Sequence, residues 1–344
     1  MAIATERARG RILVADDSGF MRRLLSSSLA KVGYEVVGVG KDGDEALALC
    51  ERLRPDAMTL DLAMPGTDGM EVLRQLRSLP TPPPAVVVSA FSPAHGARAV
   101  DALAEGAFDL AAKPVIGEPF EAFAADLAAK LDAAAHAAPR RSAPRVPAAR
   151  PAVARGTGSR IVVIACSTGG PKALGELVPQ LPAPLGAGTL IVQHMPPGFT
   201  GLLAQRLDKS SPLTVREAAG GEVVEPGVAL VAPGGRHLRL AHDRTVALGD
   251  DAKIGGVCPR ADLTIEDAAK LYGRRMVLAV LTGMGKDGLT GAEAVHRAGG
   301  RVLVEDASTC TVYGMPRAVE EAGLAHGVVP LPEMAAAIAQ EATR

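Results

Sequence analysis

The chain is 344 residues long, 48% hydrophobic, 22% charged and 3% aromatic, with a formal net charge of −1. At roughly 150 residues per domain it holds about two domains, each able to build its own core, which excludes a wholly disordered chain. Near-neutral charge and the absence of tryptophan argue against nucleic acid as a partner and against an aromatic platform for stacking bases.

The first segment alternates short apolar runs with amphipathic stretches. RILVA (11–15), EVVGV (35–39), AMTL (57–60), AVVV (85–88) and FDLAA (108–112) read as strands. Between them, MRRLLSSSLAKV and GMEVLRQLRSL space their apolar residues at three and four, as helices do. Near-continuous apolar strands separated by helices predict a parallel, doubly wound α/β sheet. In such sheets, sites form outside the carboxyl ends of the strands. Asp16 and Asp17 follow the first strand, Asp61 ends the third, Ser89 ends the fourth and Lys113 follows the fifth. Singly, the aspartates read as helix caps and turn formers. Together in one crevice they would repel one another unless a cation sat among them, and hard oxygen ligands of this kind suit Mg²⁺. A neighbouring lysine can hold a phosphoryl oxygen, and one carboxylate can serve as a nucleophile toward a phosphoryl donor.

Over residues 10–127, ILVADDS, TLDLAMPGTDG, VVVSAFS and FDLAAKP resemble the receiver domain of two-component response regulators, a flavodoxin-like fold. The resemblance implies that Asp61 accepts phosphate from a histidine kinase of the chemotaxis type. It also implies that Asp16, Asp17, Asp61 and the backbone carbonyl of Ala63 hold Mg²⁺, while Lys113 contacts the phosphoryl group. Ser89 would be the hydroxyl that shifts toward the phosphate. Phe108 stands where the family has its rotating aromatic switch, without a hydroxyl.

Residues 128–158 are expected to form a linker, its centre being the run PRRSAPRVPAARPAVARGTGSR, rich in Pro, Ala and Arg with no acidic residue. Such a stretch cannot bury enough apolar surface to offset its ordering entropy. Its alternative role is a basic arm against an anionic surface. Beyond it the strand-helix grammar returns over residues 159–344, in RIVVIAC (160–166), TLIVQH (189–194), MVLAVL (276–281) and RVLVE (301–305). From about Val215 to Leu248 short alternating pieces broken by Gly, Pro and Asp predict antiparallel hairpins inserted into this second, Rossmann-like domain.

Three polar residues follow strands here. Ser167 opens STGGP, His194 precedes MPPG, and Asp287 lies in TGMGKDG. The Ser/Gly turn alone reads as the start of a helix, and Asp287 alone as an N-cap. At three strand ends of one sheet they have the logic of a triad: His194 takes the Ser167 proton and Asp287 fixes the imidazole. The chain order Ser…His…Asp differs from that of α/β-hydrolases. Cys166 reads as a packed small hydrophobe, and the other histidines as surface or packing residues.

ACSTGGP, VQHMPPGFT, LTGMGKDG, RAGG and VYGMPRAV, in that order, resemble the catalytic domain of the CheB family of chemotaxis protein-glutamate methylesterases. A receiver in front is that family's own architecture. The resemblance implies a triad of Ser167, His194 and Asp287, with Thr168 and Met284 lining the site and offering N–H groups to an oxyanion. It implies hydrolysis of glutamate 5-methyl esters on the cytoplasmic helices of chemoreceptors, with methanol released, and deamidation of receptor glutamines. No cofactor serves the catalytic step. CPRADLT (258–264) departs from the family's more usual proline-serine-valine-aspartate, which touches fine substrate contacts. The unphosphorylated receiver is expected to pack over the crevice and phosphorylation to open it. The alternatives are a non-enzymatic receptor-docking protein and, more remotely, a DNA-binding regulator, for which no helix-turn-helix or basic recognition helix is present. The four cysteines, Cys50, Cys166, Cys258 and Cys310, form no C-x-x-C pair. The opening residues reach charge before a signal-type apolar core could form, and no apolar run approaches ~18 residues. A cytoplasmic monomer, not inserted in membrane, is expected.

Overall fold

A computed structural model describes residues 9–90, 92–114, 120–137, 159–250 and 252–344. The chain divides into two compact units, Met1–Pro139 and Arg140–Arg344.

The first unit runs β1 (Arg11–Ala15), α1 (Gly19–Lys31), β2 (Glu35–Gly40), α2 (Gly43–Leu53), β3 (Ala57–Leu60), α3 (Gly69–Leu76), β4 (Ala85–Ser89), α4 (Pro93–Ala104), β5 (Asp109–Ala112) and α5 (Phe120–Ala135). Its five strands lie in the order β2-β1-β3-β4-β5, all parallel. β3 and β4 are buried along their whole length, which is why they read as continuous apolar runs rather than alternating ones. Ser18, Asp42, Asp68 and Ser92 each accept a backbone N–H in the first turn of the helix they precede, so four of the five helices start where a capping side chain permits. The last helix passes the linker boundary expected at 128. Leu127, Ala128, Leu131 and Ala134 are all buried, and the Tyr34 hydroxyl donates to the Ala128 carbonyl at 2.8 Å. An alanine-rich run there is a packed helix face, because small residues let α5 lie close to its neighbours. The rest of the expected linker, 138–158, lies outside the described residues.

The second unit runs β6 (Ile161–Cys166), α6 (Gly170–Leu177), β7 (Thr189–Gln193), α7 (Phe199–Asp208), β8 (Thr214–Glu217), β9 (Val228–Val231), β10 (His237–Leu240), β11 (Val246–Gly249), α8 (Ala261–Tyr272), β12 (Met276–Val280), α9 (Leu289–Arg297), β13 (Arg301–Glu305), α10 (Met315–Glu321), β14 (Gly327–Val329) and α11 (Leu331–Thr343). Seven strands form one parallel sheet in the order β14-β13-β12-β6-β7-β9-β8. The chain starts at β6, builds outward through β7, and later crosses to β12 on the other side. The order therefore reverses between β6 and β12, where open α/β sheets form their crevice.

The hairpins expected from 215 to 248 reduce to one, β10–β11. β8 and β9 belong to the main sheet and pair in parallel. β8 is an edge strand, alternately exposed and buried, and a half-covered edge strand of a parallel sheet shows the same period-two pattern as a hairpin. The Val223–Thr245 bridge ties the segment after β8 to the hairpin.

Candidate functional site

Two clusters of chemically active side chains lie at strand carboxyl ends, one in each unit. In the first unit, Asp16 and Asp61 are buried and Asp17 is exposed, and one carboxylate oxygen from each lies within 4.8 Å of the others. The backbone turns tightly enough behind Asp61 that a Cβ on Gly69 would stand 2.3 Å from the Asp61 carbonyl oxygen. Only glycine fits there. Lys113 Nζ lies 2.8 Å from Asp16 Oδ2 and 2.9 Å from Asp61 Oδ2. Burial, with the Asp61 charge adding to it, pushes the Asp16 carboxyl above its ordinary range, against the pull of Lys113. Burial disfavours the Lys113 charge, but the two carboxylates outweigh it and the ammonium is held more firmly than usual.

A cavity of about 210 Å³ opens here, lined by Asp17, Asp61, Ala63, Ser89 and Lys113, and also by His95 and Arg98 of α4. Ser89 Oγ donates to the Ala90 carbonyl at 3.3 Å, and Phe108 is buried at the start of β5. His95 and Arg98 were not legible as pocket residues. His95 reads as a helix-face residue, and only the fold brings α4's first turns to the end of β3. The donor set is all oxygen and mostly carboxylate, with Asp17 open to solvent, so these residues fit a hard divalent cation that keeps several waters.

In the second unit, β6, β7 and β12 end side by side. Cys166 pairs with Gln193 and Ala165 with Val280, so the residues just past them, Ser167 and His194, are neighbours across the strand ends. The Ser167 N–H donates to the Thr282 carbonyl at 3.0 Å, and the His194 N–H donates to the Cys166 carbonyl at 3.2 Å. The buried Gln193 clamps the pair, its Nε2 donating to the Ser167 and His194 carbonyls at 3.0 Å each. Thr282 ties three strand ends together: its N–H donates to Glu305 Oε2 at 2.8 Å and its hydroxyl to the Thr168 carbonyl at 3.0 Å.

His194 Nε2 donates to Asp287 Oδ2 at 2.7 Å. The neutral ring thus carries its proton on Nε2, which leaves Nδ1 as the basic nitrogen. Among the described residues no hydrogen bond joins Ser167 Oγ to the imidazole, and catalytic bonds of this type often tighten only with substrate in place. Met284 is exposed at the rim and Thr168 is buried behind Ser167.

Asp287 also accepts helix N–H groups, that of the adjacent Gly288 at 2.9 Å and two from another helix. Its Oδ2 accepts the Ala261 N–H at 2.7 Å and its Oδ1 the Asp262 N–H at 3.0 Å, both in the first turn of α8. Asp262 Oδ1 returns the arrangement, accepting the N–H groups of Gly288 and Gly291 at 2.9 Å each, at the start of α9. Burial pushes the Asp287 carboxyl upward, but the His194 bond and charge together with the helix N–H groups outweigh it and hold it well below its ordinary 3.8. Asp287 therefore meets His194 and the first turn of α8 at once, while the N-cap position of α9 itself is held by Gly288. The Cys166 thiol is fully buried and pushed far above its ordinary value by burial, with Glu305 adding to the shift, as befits a packing residue.

Gly283 closes the wall beside Ser167. A Cβ there would lie 2.3 Å from Met315 Sδ and 2.9 Å from Ser167 Cβ. Gly283→Ala should displace Ser167 by several tenths of an ångström and lower ester hydrolysis by about 10²-fold while the chain still folds. Parallel measurement of turnover and the circular dichroism melt checks this. A variant as active as the parent would show that the wall yields.

A sequence profile of the CheB methylesterase family matches residues 162–338, and one of the response regulator receiver domain matches residues 12–122. A Symbiobacterium thermophilum protein named protein-glutamate methylesterase/protein-glutamine glutaminase is 44% identical over 95% of this chain and 96% of its own length. A Thermotoga maritima protein of the same name is 41% identical over 93% of this chain and 95% of its own. The crystal structure of the Thermotoga maritima CheB methylesterase catalytic domain covers 53% of this chain and 98% of its own, at a TM-score of 0.51 and 46% identity. The chain belongs to the CheB methylesterase family of protein-glutamate methylesterase/protein-glutamine glutaminase enzymes, with a response regulator receiver domain ahead of its catalytic domain.

Proposed function

We propose that this enzyme demethylates glutamate 5-methyl esters on the cytoplasmic helices of chemoreceptors, releasing methanol, and deamidates receptor glutamines at the same site. It acts in the cytoplasm as a monomer under the control of a chemotaxis-type histidine kinase. The observation that carries the reading is the His194–Asp287 hydrogen bond of 2.7 Å, next to a serine whose backbone is fixed to the same strand ends.

Ser167 Oγ attacks the side-chain carbonyl carbon as His194 Nδ1 takes its proton, and Asp287 steadies the imidazolium through Nε2. The carbonyl oxygen becomes an oxyanion, for which the backbone N–H groups of Met284 and Thr168 are the donors. Collapse breaks the bond to methoxide, which leaves as methanol with the proton from His194, or the bond to the amide nitrogen, which leaves as ammonia. Water then attacks the acyl-serine, giving up its proton to His194, and the glutamate departs.

In the receiver, Asp61 is the phosphoacceptor. Asp16, Asp17, Asp61 and the Ala63 carbonyl would hold Mg²⁺, which supplies charge neutralisation for an incoming phosphoryl group. Lys113 binds a phosphoryl oxygen, and Ser89 and Phe108 respond to it. Phosphorylation shifts the enzyme toward its active state by as much as the phosphate favours that state over the other. Methanol release from methylated chemoreceptor membranes should rise several-fold with a small phosphodonor and Mg²⁺. In Asp61→Asn that rise should vanish while basal release persists. Stimulation that survives Asp61→Asn would sink the assignment of the phosphoacceptor.

A further inference from the structure

α8 begins behind Arg260, whose position is that of an N-cap but whose side chain makes no cap hydrogen bond. The first N–H groups of α8 go to Asp287 instead, and those of α9 go to Asp262. Two buried carboxylates therefore face each other, each capping the helix on which the other stands. Toward the helix N–H groups and Arg260 both carboxylates act as acceptors, the role their ionised form fills best. Two like charges this close repel strongly in a low-dielectric interior.

Arg260 reaches both of them. Its Nη2 lies 2.6 Å from Asp262 Oδ2 and its Nε 3.7 Å from Asp287 Oδ1. Nη1 donates to the Ile254 carbonyl at 3.0 Å, which fixes the fork in place. The Arg260 side chain is only 22% exposed, so its charge is poorly screened by water. From below, His237 Nδ1 accepts the Arg260 backbone N–H at 3.0 Å and pins the start of α8. Lys286 is exposed next to Asp287 in the chain.

We infer that Arg260 is a positioning residue for the triad: it joins the Asp262–Asp287 pair into a cluster of net charge −1 and so limits the negative field that His194 feels. The inference rests on the triad reading above. Burial, the Asp287 charge and a side-chain hydrogen bond to Asp287 push the Asp262 carboxyl above its ordinary range, against the Gly291 N–H and Arg260, as expected of two crowded carboxylates. Without Arg260 the cluster carries −2. The imidazolium of His194 is then over-stabilised, and the neutral ring needed to accept the Ser167 proton appears only at higher pH.

The test is the His194 ring titration followed by NMR on the full chain, alongside the pH profile of methanol release from methylated chemoreceptor membranes. In Arg260→Met both the His194 midpoint and the acid limb of kcat/KM should move up by about half to one pH unit. KM should stay within roughly twofold while kcat falls several-fold at neutral pH. Arg260→Lys should give a smaller shift, because a single ammonium cannot bridge both carboxylates as the fork does. In Arg260→Met/Asp262→Asn the midpoint should return to the parent's, since asparagine still caps α9 but carries no charge. A structural role alone would change the melting temperature and leave both pH readouts in place. An unmoved midpoint in Arg260→Met, or a shift that Asp262→Asn does not reverse, overturns the inference. Should Arg260→Met not fold, Asp262→Asn alone reads the same coupling with opposite sign, and an unmoved midpoint there overturns it too. A parent that releases no methanol while Arg260→Met still raises the His194 midpoint would reject the esterase reading and leave the electrostatic role standing.

Discussion

Ser167→Ala is expected to lower methanol release from methylated chemoreceptor membranes by about 10⁴-fold or more, with the fold unchanged. The hydroxyl takes part in no hydrogen bond among the described residues, so its removal leaves no buried partner unsatisfied. On the proposed mechanism, what disappears is the group that forms the acyl-enzyme. Receptor binding should persist, because nothing at the rim has changed. Release that survives in the variant would mean that water, activated by His194, attacks the ester directly. A parent that binds receptors but releases nothing would mark the chain as a docking protein.

Asp287→Asn is expected to be nearly as severe in activity and much worse in stability. The carboxylate accepts from His194 Nε2, Ala261 N and Asp262 N at 2.7, 2.7 and 3.0 Å. An amide turns one acceptor into a donor: in place of Oδ2 it faces His194 and the Ala261 N–H together, and in place of Oδ1 it faces the N–H groups of Asp262 and Gly288. If it faces His194, the ring is driven toward the tautomer protonated on Nδ1, which cannot accept the serine proton, and kcat falls by about 10³ to 10⁴. If it takes the place of Oδ1, the N–H groups of Asp262 and Gly288, at the starts of α8 and α9, each lose an acceptor. Loss of a buried, multiply bonded charge should destabilise the catalytic domain by roughly 3 kcal/mol, or about 6–12 °C in Tm.

The pH dependence fixes the sign. The folded carboxyl lies below its unfolded value of 3.8, so its contribution is complete above that value and fades as pH falls through the folded one. The Tm gap between parent and Asp287→Asn should therefore be full at pH 7 and narrow steadily below about pH 4. A gap independent of pH would mean that shape, and not charge, is what α8 needs.

Much of this was legible in the sequence because buried parallel strands announce themselves. The nine apolar runs read as strands form strands with ends within a residue or so of those expected; Asp16, Asp61, Ser167 and His194 stand just past carboxyl ends of strands, and Asp287 lies in the loop between β12 and α9. The misreadings have physical causes. β8 alternates because it is an edge, and alternation alone does not say which neighbour a strand has. The alanine-rich stretch after residue 127 looked like the beginning of a linker, yet alanine is as suited to a close-packed helix face as to an extended chain. Gln193, Thr282, Arg260 and Asp262 stand within the quoted motifs, but the sequence does not report what they touch. Their roles consist of hydrogen bonds to backbone atoms or carboxylates far along the chain, and no spacing rule reports a contact such as Thr282 to Glu305. His95 is the same case in the receiver: its position beside Asp61 depends on where α4 starts, not on its own neighbours in sequence.

The reciprocal capping by Asp262 and Asp287 also bears on how this chain can lose its activity over generations. On the proposed mechanism, a lesion at Asp287 removes catalysis and takes acceptors from the starts of α8 and α9 at once, so its bearer loses the protein along with the reaction. On the same mechanism, a lesion at Ser167 removes the reaction and leaves an intact molecule whose proposed phosphorylation and receptor docking are untouched. Descendants that keep the shape for signalling alone would therefore diverge first at the serine and retain the aspartate long after its chemical task had ended.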